Sequence, residues 1–396
     1  MNKPLRIALV MQGGRSWIGG SEYIKNIILA LGSLPDNIRA KYEVCLIYNE
    51  YLDPELHKCI EPYLHKIYNQ QVELKPITFQ NRIRWRIIRN LYGWKDPRSE
   101  SFLRKEKFDF IYPYLSLETS NSSYRSASWI ADFQHKYLPN FFTPEELAVR
   151  ENLFSQIAHH SSTIVLSSQT AEKDFHKFFP EAAHKTKVLS FKTTPSSSWY
   201  QGEPQNIQKN YCLPDRFFII SNQFWQHKNH LTVFKALKLL HKQSIYPVIV
   251  CTGHIYDYRQ PNYCDEILQS IHKMGITKQV YLLGLIPKFE QCQLMRRSLA
   301  VIQPSLFEGW STVVEDAKCF GKHIILTDLP VNLEQNPPNS IFFEGKSPEI
   351  LADILADYWE KLTPGPDLQQ EQIAHTNSIS EAQEFAYRFL DIAASI

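Results

Sequence analysis

Apolar runs of four to six residues recur along the chain and alternate with longer amphipathic stretches. A run that is apolar at every position, not every second one, fits a strand buried on both faces. The first series predicts strands at Leu5–Val10, Glu43–Tyr48, Phe108–Tyr112, Trp129–Phe133, Thr163–Leu166 and Val188–Phe191. A second series predicts Phe217–Ser221, Pro247–Thr252, Val280–Leu283, Leu299–Gln303 and His323–Thr327. Helical patterns lie between them at Ser21–Leu31, Glu145–His159, Leu231–His241 and Thr312–Phe320. Strand and helix in alternation mean α/β layers, with parallel sheets covered by helices. A polar, Ser/Pro-rich stretch, Thr193 to Gln208, separates the two series, and a second, Thr363 to Asn377, precedes a last helix at Ser378–Ala394. The expected organisation is two Rossmann-like domains, 1–200 and 201–377, and a C-terminal helix, 378–396, packed back on the first.

Bulk properties remove several classes. Lys plus Arg number 43 against 41 Asp plus Glu, a net charge of +2. That balance gives no reason to expect nucleic acid as a partner. No run approaches the roughly 18–20 apolar residues of a membrane span. The N-terminus passes straight into a strand, and charge returns by Arg15, so a cytoplasmic protein is expected. Seven cysteines, widely spaced and without C-x-x-C, fit reduced structural thiols better than disulfides or zinc.

Glycine is scarce, 14 in 396 residues, roughly half the average usage near 7%. Four of the 14 lie in one loop after the first strand: Gly13, Gly14, Gly19 and Gly20. Glycines let backbone N–H groups approach an anion, and the helix that follows adds a positive partial charge. The spacing is not G-x-G-x-x-G, so the loop is either a phosphate cradle without the dinucleotide fingerprint or simply a turn. The second series opens in the same way. Strand Phe217–Ser221 leads into Gln223, Phe224, Trp225, Gln226, His227, Lys228, Asn229 and His230. Ligands of open α/β sheets sit beyond the carboxyl ends of strands, where Lys228 could neutralise a phosphate. A solvated loop with Asn229 or His230 capping the helix reads equally well. His227 and His230 lack the further ligands a metal would require.

After the strand ending at Gln303 comes Leu306-Phe307-Glu308-Gly309-Trp310-Ser311-Thr312-Val313-Val314-Glu315. Gly309 permits a tight turn and a helix starts near Thr312. Thr312 and Glu315 match a capping box, which would give Glu315 a structural role. Glu308 stands short of the helix, where a carboxylate can accept hydrogen bonds from sugar hydroxyls while the helix start holds a diphosphate.

Together these segments resemble the retaining GT-B glycosyltransferases of family 4, the glycosyl transferases group 1. The resemblance spans nearly the whole chain. It implies a nucleotide-sugar donor in a cleft between two Rossmann-like domains, and transfer with retention to a saccharide or lipid-linked acceptor in polysaccharide or glycan assembly. By the match, Gly19 and Gly20 face the donor diphosphate, Lys228 binds phosphate, Glu308 contacts the donor sugar and Glu315 the ribose. Gly309, Trp310, Ser311 and Thr312 form the turn between the glutamates, and Gly284 lies where the family approaches the base. The family's arginine five positions before the lysine is Gln223 here, and Glu308 and Glu315 are one residue closer than the usual spacing. Asp132-Phe133-Gln134-His135 resembles the family's acceptor-side stretch, most often seen in mannosyl-type transferases. It makes His135 an acceptor-binding or acid/base candidate and GDP-mannose a candidate donor. No D-x-D is present, so the resemblance implies no metal and no cofactor, with Lys228, backbone N–H groups and a helix start stabilising the leaving diphosphate. Two other classes share the fold: nucleotide-sugar epimerases and non-catalytic binding subunits.

Residues 81–107 carry nine basic and three acidic side chains interleaved with Trp85, Tyr92, Trp94 and Phe102. Such a segment fits peripheral contact with a lipid surface or an anionic lipid-linked acceptor. It fits a plain solvated surface or an RNA-binding patch as well.

Overall fold

The computed structural model describes residues 3–14, 17–49, 52–73, 97–115 and 124–395. β1 (Leu5–Val10) lies at the centre of the first sheet, between β2 (Tyr42–Tyr48) and β4 (Phe110–Tyr112). β3 (Lys66–Asn69) and β5 (Arg125–Ser126) take the edges, giving a parallel order β3-β2-β1-β4-β5. The chain kinks at Ala127 and continues as β6 (Ser128–Ile130), which pairs with β7 (Ile164–Leu166) and, through it, β8 (Thr186–Val188). The second sheet runs β11-β10-β9-β12-β13-β14 and is also parallel. Its strands are β9 (Phe218–Ser221), β10 (Ile249–Thr252), β11 (Val280–Gly284), β12 (Ala300–Gln303), β13 (His323–Thr327) and β14 (Ser340–Phe343).

The continuous apolar runs have the cause expected of them. Phe218 and Ile220 enter one buried cluster, whereas Phe217 and Ile219 enter another on the opposite face. Helices cover both faces, so alternation has no polar side to occupy.

The C-terminal helix differs from expectation. It begins at Leu368, not Ser378, and runs unbroken to Ser395. Its first turns belong to the second domain, where Glu371 takes a bidentate pair from Arg296 at 2.7 and 2.9 Å, both residues buried. Removing one partner would strand the other charge, at a cost of about 3–5 kcal/mol. Farther along, Ala382, Phe385, Ala386, Phe389 and Ala393 pack with Ile24, Ile27 and Leu31 of helix Ile18–Gly32 in the first domain. One helix thus holds both domains. The stretch from Thr193 is not free either. It contains short helices at Ser198–Gln201 and Pro204–Asn210, and Trp199 is buried.

Of the basic segment 81–107, residues 81–96 lie outside the described residues. The remainder contains helix Pro97–Glu106, whose Phe102 is buried against Tyr68 and Phe108 and turns away from solvent. No helix among the described residues is long and apolar enough to cross a membrane.

Candidate active site

The carboxyl ends of both sheets face one cleft of about 680 Å³. On the second-domain side, β9 ends in a short turn, Gln226–Lys228, closed by Asn229 in the left-handed region (φ 56°). Asparagine tolerates that conformation better than most residues. The Asn229 side chain does not cap the following helix. It donates to the carbonyls of Pro304 (3.0 Å) and Gly345 (2.9 Å). Leu306 N–H donates to the His227 carbonyl at 2.8 Å. The loops after β9 and β12 are therefore tied together, and the ties set Lys228 against Glu308.

Lys228 Nζ lies 2.6 Å from Glu308 Oε1. Gln303 Nε2 donates to the same oxygen at 2.7 Å, and Asn222 fixes Gln303 from behind at 2.8 Å. The Glu308 side chain is 8% exposed and borders the cleft. Gly309 has no room for a side chain: a Cβ there would come 2.5 Å from the Ala131 carbonyl oxygen of the first domain. The two domains touch at this glycine.

Helix Thr312–Cys319 starts from Ser311, whose Oγ accepts from Val314 N–H. The cap is one residue earlier than the capping-box pattern requires, so Glu315 is free of it. Its carboxylate instead accepts from Gln335 (2.8 Å), Trp310 Nε1 (3.1 Å) and Lys318 (3.2 Å). Glu315 is buried beneath Trp310, and Trp310 also reaches the Phe191 carbonyl of the first domain at 3.0 Å.

Two more charged pairs stand on this side. Lys288 is bonded to Asp316. Burial opposes the charge on Lys288, but Asp316 outweighs it and raises the lysine pKa. Arg259, on the loop after β10, pairs with buried Asp257 at 3.3 Å.

The first-domain wall is aromatic. Trp17 stacks on Trp129 with ring centroids 5.7 Å apart, and Trp129 stacks on Tyr23 at 4.1 Å. Trp17 forms the outer end and is 38% exposed. Gly20 explains its seat: a Cβ there would lie 2.9 Å from both the Trp17 ring and Gly13 N. Gly20 thus accommodates an indole, while Gly19 borders the cleft.

The cleft brings together Gly19, Gln223, Lys228, Glu308, Gly309, Trp310 and Thr312 of the residues singled out from sequence. Gly20, Gly284, Ser311 and Glu315 support that lining without joining it, although Leu285 and Ile286, just past Gly284, do join. His135 is placed elsewhere. It is buried among Phe133, Phe142 and Phe154, while its neighbours Asp132 and Gln134 reach the cleft. Burial lowers the His135 pKa, with Glu151 pulling the other way. His227 and His230 are also buried and held neutral, and burial pushes His230 down to about 3. Among the described residues no group of three or more His, Cys, Asp or Glu is placed to hold a metal ion.

Sequence reasoning passed over Trp17, Trp129, Arg259 and the Lys288–Asp316 pair. Trp17 had a signal, because it stands inside the glycine loop. Arg259 had a weaker one, a charged residue among tyrosines beyond a strand's carboxyl end.

Comparison with known proteins follows the same division. Residues 205–370 match the family described as Glycosyl transferases group 1. No curated protein sequence matches the chain. Among solved structures it is similar to Anabaena HepE in complex with UDP and glucose, at 15% identity and a TM-score of 0.65, over 99% of this chain and 100% of that one. It is similar to a glycosyltransferase from Rickettsia africae, at 13% identity and a TM-score of 0.65, over 100% and 99% of the two chains. Sucrose-phosphate synthase from Thermosynechococcus elongatus gives 15% identity and a TM-score of 0.64, over 98% and 100%. At these identities the likeness establishes the fold, which is GT-B.

Proposed function

We propose that the chain is a glycosyltransferase that moves a sugar from a nucleotide-sugar donor to a saccharide or lipid-linked acceptor, with retention of anomeric configuration and without metal. One observation carries the reading: Lys228 and Glu308 meet at 2.6 Å at the carboxyl ends of β9 and β12, facing the cleft. A cation bound to a carboxylate at that position suits a ligand with a diphosphate beside a hydroxylated ring. Lys228 takes the phosphate charge, and Glu308 accepts hydrogen bonds from the sugar.

In the proposed reaction the bond from the sugar's anomeric carbon to the diphosphate oxygen breaks, and the electron pair leaves with the diphosphate. Lys228 and the start of helix Thr312–Cys319 stabilise that charge where it develops. An acceptor hydroxyl attacks from the same face, and its proton passes to the departing phosphate oxygen. The exposed ring of Trp17, backed by Trp129 and buried Tyr23, supplies a flat apolar surface for the acceptor's sugar face.

Solved relatives of the fold bind UDP and UDP-glucose, whereas the Asp132–His135 stretch is the cue toward GDP-mannose. A thermal-shift screen with UDP-, GDP-, ADP- and CMP-sugars separates these, because a ligand that binds the folded state raises its apparent stability. Product NMR then reads the anomeric configuration. An inverted product, or activity lost in excess EDTA, would overturn the corresponding part of the proposal. Isomerised donor formed without acceptor would make the protein an epimerase. A role in polysaccharide assembly on the inner face of a membrane completes the proposal, with residues 81–107 as the contact. Flotation with anionic liposomes tests it, and absence of binding at moderate salt would remove it.

A further inference from the structure

Four cations line the cleft among the described residues: Arg150, Lys228, Arg259 and Lys288. Lys228 and Lys288 each bind a carboxylate that also lines it, Glu308 and Asp316. The two arginines differ. They come from opposite domains, yet both stack on one ring. The Arg150 guanidinium carbon is 4.9 Å from the centre of Phe142, and that of Arg259 is 5.2 Å from it. Arg259 is also 4.7 Å from the centre of Trp225.

Their counter-charge is incomplete. Asp257 accepts from Arg259 Nε and backbone N, at 3.3 and 3.1 Å, and turns its second oxygen to Gln226 N–H at 3.0 Å. The far end of the guanidinium meets no carboxylate: Nη2 is 3.4 Å from Nδ1 of the neutral His227, and Arg259 borders the cleft. No carboxylate among the described residues pairs with Arg150. Of the three acids on its helix, Glu151 holds Lys136 at 2.6 Å, Glu146 bonds Thr143 N–H and Tyr258, and Glu145 makes no ion pair with Arg150. Among the described residues Arg150 is thus left without an ion-pair partner beside Arg259, in a cleft that Glu22 and Asp132 also line. Aromatic contacts hold both guanidiniums in place, and the Arg259 side chain is only 3% exposed, so the N–H groups they present are preorganised for a tetrahedral oxyanion.

We infer that Arg150 and Arg259 form an oxyanion site, separate from the Lys228–Glu308 pair, that takes a phosphate or diphosphate ester of a substrate. The ester belongs either to the acceptor or to the nucleotide. Only that choice of source rests on the transferase reading. The site itself is tested by titrating inorganic pyrophosphate into Lys228→Met, which removes the lysine assigned to the donor phosphate and leaves Lys288 bound to Asp316. The same titration is made with R150Q or R259K added. R259K keeps a positive charge opposite buried Asp257, and R150Q breaks no ion pair, so both should fold, as circular dichroism will check.

Pyrophosphate should bind K228M, and each added variant should weaken it about tenfold, R150Q by losing a charge-assisted contact and R259K by losing the guanidinium's fork of N–H donors. Binding to K228M that either added variant leaves within twofold, or no binding to K228M at all, would overturn the site. UDP titrated into R150Q and R259K with Lys228 intact identifies the source. A tenfold loss assigns the ester to the nucleotide, and unchanged affinity assigns it to the acceptor. If UDP does not bind the wild-type protein, the UDP-donor reading fails while the pyrophosphate result still stands.

Discussion

On the second-domain wall each of three cations lies against its own carboxylate: Lys228 on Glu308, Lys288 on Asp316 and Arg259 on Asp257. On the first-domain wall Trp17, Trp129 and Tyr23 stack face to face, with no charge in the stack. The difference separates two kinds of recognition. Partly buried ion pairs add little net stability, because desolvation offsets their attraction. In the proposed reading they hold preorganised charge that a diphosphate can share. Stacked rings offer area and shape, which suit a sugar face and ignore ionic strength.

The strongest way to break the comparison is to remove a charge from the charged wall. Lys228→Met should cost roughly 2–4 kcal/mol of transition-state stabilisation, read as kcat/KM. Full turnover would end the assignment of Lys228. Next comes the point where the walls touch. Gly309→Ala should destabilise the protein by about 1–3 kcal/mol and lower activity, because its Cβ meets the Ala131 carbonyl. Denaturant unfolding measures this, and an unchanged midpoint would show that the domains are free to separate there.

A smaller effect concerns the support behind Lys228. His230 is buried, stacked on Phe224 at 4.1 Å, and stays neutral down to about pH 3. The unfolded imidazole takes a proton near its ordinary pKa of about 6.5. Between those values the unfolded state binds more protons, so stability falls as pH drops. Each such histidine contributes about 1.4 kcal/mol per pH unit. His230→Phe should flatten the slope of unfolding free energy against pH by about one proton between roughly pH 6 and 4. An unaltered slope would mean the imidazole is charged in the folded protein.

The smallest expected effect lies on the aromatic wall. Trp17→Ala should raise the acceptor KM about two- to tenfold, or about 0.5–1.5 kcal/mol, and leave donor affinity unchanged. A weakened donor instead would place Trp17 on the diphosphate beside Gly19.

What the sequence made legible follows the same physics. β1, β9, β12 and β13 are apolar runs because helices bury both faces, and their shortness and flanking turn residues separate them from buried helix. β3, β5 and β14 escaped because they are short edge or kink strands with polar residues, such as Lys66–Asn69 and Arg125–Ser126. β8 lies at Thr186–Val188, just before the apolar run expected at Val188–Phe191. The C-terminal helix was legible only in its apolar half. Residues 368–377 are mostly polar, and a buried ion pair from Glu371 to Arg296 supports their turn of helix. Lys228 and Glu308 were legible because loops beyond strand ends are where α/β sheets hold ligands. Arg259 was not, because the rings that position it, Phe142 and Trp225, are distant in sequence and belong to different domains.

The division of labour between the walls is tested most directly by calorimetric titration of the best-binding nucleoside diphosphate into wild type, Lys228→Met and Trp17→Ala. Affinity should fall at least tenfold in K228M and stay within twofold in W17A. Equal affinity in wild type and K228M, or a loss confined to W17A, would contradict it.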